Sequence, residues 1–139
     1  MRILLVSPES SAWNSRAHIH NGLGYLAGAL LANGYGDVEI FDGSVEPQSL
    51  RAHLQGAARE VGAGSPRPYD IVGISAPTPL IENARAAART AKSFGALTVL
   101  GGPHPTLLPD DCIAHPSVDL VVRGEGEAGS PGSPAGDLY

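Results

Sequence analysis

The sequence predicts an α/β domain built on a doubly wound parallel sheet, and three observations carry that prediction. Short aliphatic runs recur along the chain, at Ile3 to Val6, around Val38 to Phe41, at Ile71 to Ile74, at Leu97 to Leu100 and at Val118 to Val122. Each reads as a buried parallel strand, and the continuous run Ile3 to Val6 suits a central strand buried on both faces. Stretches with helical spacing lie between them, and crossovers of that length make right-handed parallel units. Four of the runs end in loops of small residues: Ser7-Pro8, Ser75-Ala76-Pro77-Thr78, Gly101-Gly102-Pro103-His104-Pro105-Thr106 and Arg123-Gly124-Glu125-Gly126. The carboxyl ends of parallel strands share one edge, so these loops meet there and leave bare backbone facing a ligand.

The first strand, Ile3 to Val6, is ended by Ser7-Pro8, and a polar stretch from Glu9 to Asn21 follows. Leu23, Tyr25, Leu26, Ala29 and Leu30 then recur at helical spacing until Asn33-Gly34 stops the first helix. Asp42-Gly43 closes the second strand, and Glu46 to Val61 carries a second helix with Leu50, Leu54, Ala57, Ala58 and Val61 on one side. Gly62 to Pro68 is a surface loop. The third strand leads to an Ala-rich helix over Ile81 to Phe94, stopped by Gly95. Pro109 to Ala114 forms a short helix before the fifth strand. The expected architecture is flavodoxin-like (Rossmann-like), five-stranded, with strand order 2-1-3-4-5.

Residues 1–127 make up this domain, and 128–139 form a Gly/Ser/Pro-rich tail that reads as a linker or a truncated end. The closing helix is missing or poorly formed. One flank of the sheet near the fifth strand is therefore expected to be partly bare, which implies a partner, a lost downstream domain or reduced stability.

At 139 residues and a net charge of −5, the chain suits one soluble domain. The nine Lys and Arg are scattered, with no basic stripe to follow a phosphate backbone, so nucleic acid is not an expected partner. Cys112 is the one cysteine, which excludes an internal disulfide and an iron-sulfur cluster held by this chain alone. A cytoplasmic setting fits. The start of the chain carries no cleavable leader pattern, and no apolar run approaches the roughly 20 residues a membrane helix needs.

Paired glycines at Gly101-Gly102 let the main chain pass close to a bulky ligand or serve only a tight turn, and Ser75 and Thr106 offer hydroxyls in the same place. In register, the pattern resembles the N-terminal cobalamin-binding domain of cobalamin-dependent radical S-adenosylmethionine enzymes. Its marks are Arg2-Ile3-Leu4-Leu5-Val6-Ser7-Pro8, Gly22-Leu23-Gly24-Tyr25-Leu26-Ala27, Val72-Gly73-Ile74-Ser75-Ala76, Leu100 through Thr106, and Asp119 through Glu127. The resemblance implies a corrin ring over the carboxyl edge, with the nucleotide tail beside strands one, three and four. Ser75 and Thr78 would contact the tail, Gly101 and Gly102 would make room for it, and Arg123, Gly124 and Glu125 would border the corrin. Ser7, Pro8, Gly22, Gly24, Ala76, His104, Pro105 and Thr106 complete the implied cofactor-binding set, and no residue is assigned to catalysis.

The motif Asp-x-His-x-x-Gly, whose histidine coordinates cobalt, does not occur around His18, His20 or His104. The resemblance therefore implies base-off cobalamin with no protein ligand assigned to the metal. His18 and His20 stand as outside candidates against a reading as solvated loop residues. His104 can hydrogen-bond a propionamide or phosphate oxygen, or stabilise its turn. Trp13 is a lid over the corrin or a residue packed on the domain edge. Glu125 and Glu127 read as solvated or helix-capping carboxylates, and Cys112 as buried or inert.

Radical chemistry in the resembled family needs a Cys-x-x-x-Cys-x-x-Cys loop that this sequence lacks. The expected partner is thus a radical S-adenosylmethionine domain in cis or in trans, and the chain reads as a fragment, a remnant or a free-standing carrier. The competing reading is a flavodoxin-like module that binds a nucleotide or flavin, or signals as a receiver. No Gly-x-Gly-x-x-Gly follows the first strand, and no acidic pair ends it.

Overall fold

The computed structural model describes residues 2–8, 21–43, 46–61, 68–76, 80–123 and 137–138. Strands β1 (Arg2–Ser7), β2 (Asp37–Asp42), β3 (Ile71–Ser75), β4 (Leu97–Gly101) and β5 (Leu120–Arg123) alternate with helices α1 (Asn21–Ala32), α2 (Leu50–Val61) and α3 (Ile81–Ser93). Two short helices, α4 (Pro103–Leu107) and α5 (Pro109–Ile113), join β4 to β5. The five strands pair in parallel in the order β2-β1-β3-β4-β5, the flavodoxin-like arrangement expected from the sequence.

β1 is buried from Ile3 to Ser7, as a central strand between β2 and β3 must be. Its alternate side chains feed two cores. Leu4 and Val6 join Phe41, Val72, Ile74, Leu100 and Val121 under α2 and α3, where Leu54, Ala57, Ala84, Ala88 and Ala91 pack. Ile3 and Leu5 face α1, where Leu26, Ala27 and Leu30 cover them. On β4 the side chains facing α3 are buried, whereas Leu97, pointing the other way, is 40% exposed.

Gly34 and Gly95 end α1 and α3 in the same way. Gly34 has φ +92°, its N–H donates to the Leu31 carbonyl, and Tyr35 N donates to Leu30 O. Gly95 has φ +80°, with Gly95 N donating to Lys92 O and Ala96 N to Ala91 O. This paired closure needs a left-handed residue, which glycine adopts without a Cβ penalty.

One element is not expected from the sequence. Asp137–Leu138 form a two-residue strand, β6, antiparallel to β5 with Leu138 beside Val122. The end of the Gly/Ser/Pro-rich tail thus adds a sixth strand beside β5.

The amino-terminal edge is bound by carboxylates. Asp70 accepts from Arg2 N at 2.8 Å, while its own N–H donates to Arg2 O and Leu97 N donates to its carbonyl. Asp119 accepts from Thr98 N at 2.9 Å and from Lys92 Nζ. Burial alone would raise its pKa, but the Lys92 ammonium and the Thr98 donors hold the carboxyl below its ordinary range. Nearby, Tyr69 is buried beneath the Arg2 guanidinium, 4.9 Å from its ring centroid, and donates to Glu39 Oε2 at 2.5 Å. Burial and then Glu39 push its phenol well above the usual range.

Candidate ligand-binding edge

Because β1 to β5 run in parallel, Ser7, Asp42, Ser75, Gly101 and Arg123 all end at one edge. Val6 pairs with Ile74 and Ser75 with Gly101, so Ser7, Ser75 and Gly101 form a continuous row of small residues across three strands. Ser7 and Ser75 are each 8% exposed. Backbone bonds close the row, with Ala76 N donating to Gly101 O at 2.8 Å and Gly43 N to Ser7 O at 2.9 Å. Ala76 is fully buried and contributes through its main chain.

The paired glycines have different reasons to be glycine. Among the described residues, a methyl group on Gly101 would meet nothing nearer than the Val122 carbonyl oxygen, at 4.0 Å. The described residues leave that space open. Gly102 has φ +107°, and a methyl there would lie 3.3 Å from Ala76 N and 3.6 Å from Ser75 Oγ. Its backbone conformation and the approach of the β3 loop require glycine whether or not a ligand is present. Gly73, deeper in the sheet, is covered by the protein itself, since a methyl there would meet Leu5 Cδ2 at 3.1 Å.

The segment read as one loop after Gly102 folds into α4. Thr106 N and Oγ1 donate to Gly102 O at 3.1 and 2.7 Å, so this hydroxyl proton bonds the chain rather than facing the edge. Pro105 is fully buried, and its part in the site is packing. Pro8 is buried directly after β1, and Gly22 and Gly24 sit in the first turn and a half of α1. His104 lies on α4 and Arg123 ends β5, both with side chains outside the described set. Thr78, Gly124, Glu125, Trp13, His18, His20 and Glu127 fall outside the described residues. Cys112 is buried in α5, where burial and then Asp111 push its thiol up and disfavour the reactive thiolate.

Sequence reasoning missed a second feature. Behind Ser7, between α2 and α3, lies a cleft of about 450 Å³ that opens toward the same edge. Val6 and Phe41 line it together with Glu46, Gln48, Ser49, Asn83, Ala86 and Thr90. Ser49 caps α2 by accepting from Ala52 N at 3.1 Å, which fixes one wall. The readable signal was Asn83, Ala86, Ala87 and Thr90, one helical face distinct from the Ala84, Ala88 and Ala91 face that packs on the sheet.

A doubly wound parallel sheet with an open, small-residue row at its carboxyl edge defines a small-molecule-binding domain of flavodoxin type. The chain matches the family described as B12 binding domain over residues 16–132, and it belongs to that family. It is 35% identical to an uncharacterized methyltransferase of Pyrococcus horikoshii, over 91% of this chain and 27% of the relative. It is 39% identical to the anaerobic magnesium-protoporphyrin IX monomethyl ester cyclase of Rubrivivax gelatinosus, over 74% of this chain and 18% of the relative. With the bacteriochlorophyllide d C-12(1)-methyltransferase of Chlorobaculum tepidum it shares 30% identity, over 90% of this chain and 25% of that enzyme.

Among solved structures, a cobalamin-dependent S-adenosylmethionine radical enzyme, OxsB, with aqua-cobalamin and S-adenosylmethionine bound, superposes with TM-score 0.64 at 17% identity. That likeness covers 92% of this chain and 17% of the other, and it shows the shared fold. The chain thus spans roughly a quarter or less of the proteins it resembles. Family membership favours the cobalamin resemblance over the flavin, nucleotide or receiver readings.

Proposed function

We propose that this chain is a cobalamin holder, the corrin-binding module of a radical S-adenosylmethionine enzyme of methyltransferase or cyclase type. The observation that supports it best is the open space at Gly101, beside Ser7 and Ser75 and unclaimed by any described residue. The nucleotide tail runs along this row on the α1 side of the sheet, where small side chains let it approach the main chain. Thr78, His104, Arg123, Gly124 and Glu125 are the further candidates to border the cofactor. When bound, the cobalt of such a cofactor can accept and donate a methyl group. This chain's residues position the ring and keep one side of it from water.

A tail laid along the sheet is drawn away from the metal, so we read the cofactor as base-off. The catalytic part, with its S-adenosylmethionine and iron-sulfur site, is supplied by a radical domain in cis or in trans. A reducing, cytoplasmic setting suits the free Cys112 thiol. No helix among the described residues is long and apolar enough to cross a membrane.

The test is a titration of the purified chain with hydroxocobalamin, followed by desalting and a visible spectrum. The expected result is a retained, coloured, base-off complex. A folded protein that emerges colourless contradicts the proposal.

A further inference from the structure

The cleft between α2 and α3 meets the tail-binding row only at Ser7, and it opens at the same edge on the opposite face of the sheet. Its floor is apolar, from Val6 and Phe41, and its walls bear Glu46, Gln48, Ser49 and Asn83. With Arg51, which also lines the cleft, these groups offer a carboxylate acceptor, a guanidinium donor, two amides and a hydroxyl, a mixture that suits a primary carboxamide, which both donates and accepts. Gln48 is held from behind, with Nε2 3.3 Å from His53 Nδ1 and His53 Nε2 3.0 Å from the Tyr69 hydroxyl. That hydroxyl donates on to Glu39, so a chain of bonds anchors the wall to the amino-terminal half of the molecule.

We infer that this cleft receives carboxamide arms from the periphery of the corrin ring. The ring is then gripped on two sides, its amide arms by α2 and α3 and its nucleotide tail by the Ser7, Ser75 and Gly101 row. The inference rests on the cobalamin reading above. A cleft of about 450 Å³ lies within the size range of small-molecule sites and is wide enough for a flexible amide arm.

Cobinamide separates the two grips, because it keeps the ring and its amide arms but lacks the nucleotide tail. Ala86 is exposed on the cleft wall, so Ala86→Phe fills the cleft without entering the core. The parent should bind both corrinoids. Ala86→Phe should weaken both by about tenfold, and Asn83→Ala should weaken both by several-fold, the scale of one or two lost hydrogen bonds. Gly101→Leu should weaken cobalamin and leave cobinamide unchanged. Thermal melts verify that each variant is folded.

If Ala86→Phe and Asn83→Ala bind cobinamide as tightly as the parent, or if the parent binds cobalamin but not cobinamide, the cleft proposal is overturned while the cofactor reading stands. If the parent binds neither corrinoid, both fail.

Discussion

The two edges of this sheet are built from opposite materials. At the amino-terminal edge, Asp70, Asp119 and Glu39 receive hydrogen bonds from strand ends, Lys92 and Tyr69, and Arg2 spans Asp37 and Glu39 at 3.3 and 3.2 Å. At the carboxyl edge, the central row of Ser7, Ser75, Ala76 and Gly101 carries no ionisable group, the charged Asp42 and Arg123 ending only the flanking strands β2 and β5, and main-chain bonds close the row. One edge joins the strands and the other leaves room. A domain that binds on one rim can place its cohesion on the opposite rim, so the binding rim need not supply it.

Substitutions at the two edges should therefore fail differently. The largest effect is expected at the exception, Gly102, which sits on the binding edge but is required by the fold. Gly102→Val combines left-handed strain with a clash against the β3 loop and should cost about 3 kcal/mol or more of stability in chemical denaturation. A variant as stable as the parent would remove the distinction between Gly101 and Gly102.

Next in size is Asp119→Ala, which leaves the Thr98 N–H and the Lys92 ammonium without their carboxylate. It should lower stability by about 1–3 kcal/mol and leave corrinoid affinity unchanged. A change in affinity here would mean that the edges are not independent. Gly95→Ala, at the left-handed stop of α3, should cost about 1 kcal/mol, read as a lower denaturation midpoint with an unchanged slope.

The smallest effect concerns acid. The folded pKa of Asp119 is depressed, so its stabilisation is present above the unfolded carboxylate value near 3.9 and is lost as pH falls through the lower folded value. The stability gap between the parent and Asp119→Asn should narrow below about pH 4. A gap that holds constant down to pH 2 would show that the charge of Asp119 contributes nothing.

Much of the fold was legible because its determinants are local. The five aliphatic runs became five strands, and Gly34 and Gly95 ended the helices they punctuate. The second helix starts at Leu50 rather than Glu46, since Ser49 provides the cap and Pro47 lies ahead of it. Pro103 and Pro105 made a loop the natural reading of α4, but a first helical turn needs no donors from those positions.

The small-residue row at the edge was legible because each member follows an aliphatic run. The different reasons for Gly101 and Gly102 were not, because they depend on how closely β3 approaches β4. The cleft was hidden for the same cause, as its walls come from two helices remote in sequence. The amino-edge acids leave a trace in the sequence: an aspartate stands directly before the aliphatic residues of β2, β3 and β5, at Asp37, Asp70 and Asp119.

A bulky side chain aimed into the vacancy on β4 puts the whole account at stake most directly. In Gly101→Leu, measured beside the parent by cobalamin titration and thermal melting, affinity should fall about hundredfold while the melting temperature stays within a few degrees. Undiminished cobalamin binding by that folded variant would contradict the placement of the cofactor on this edge.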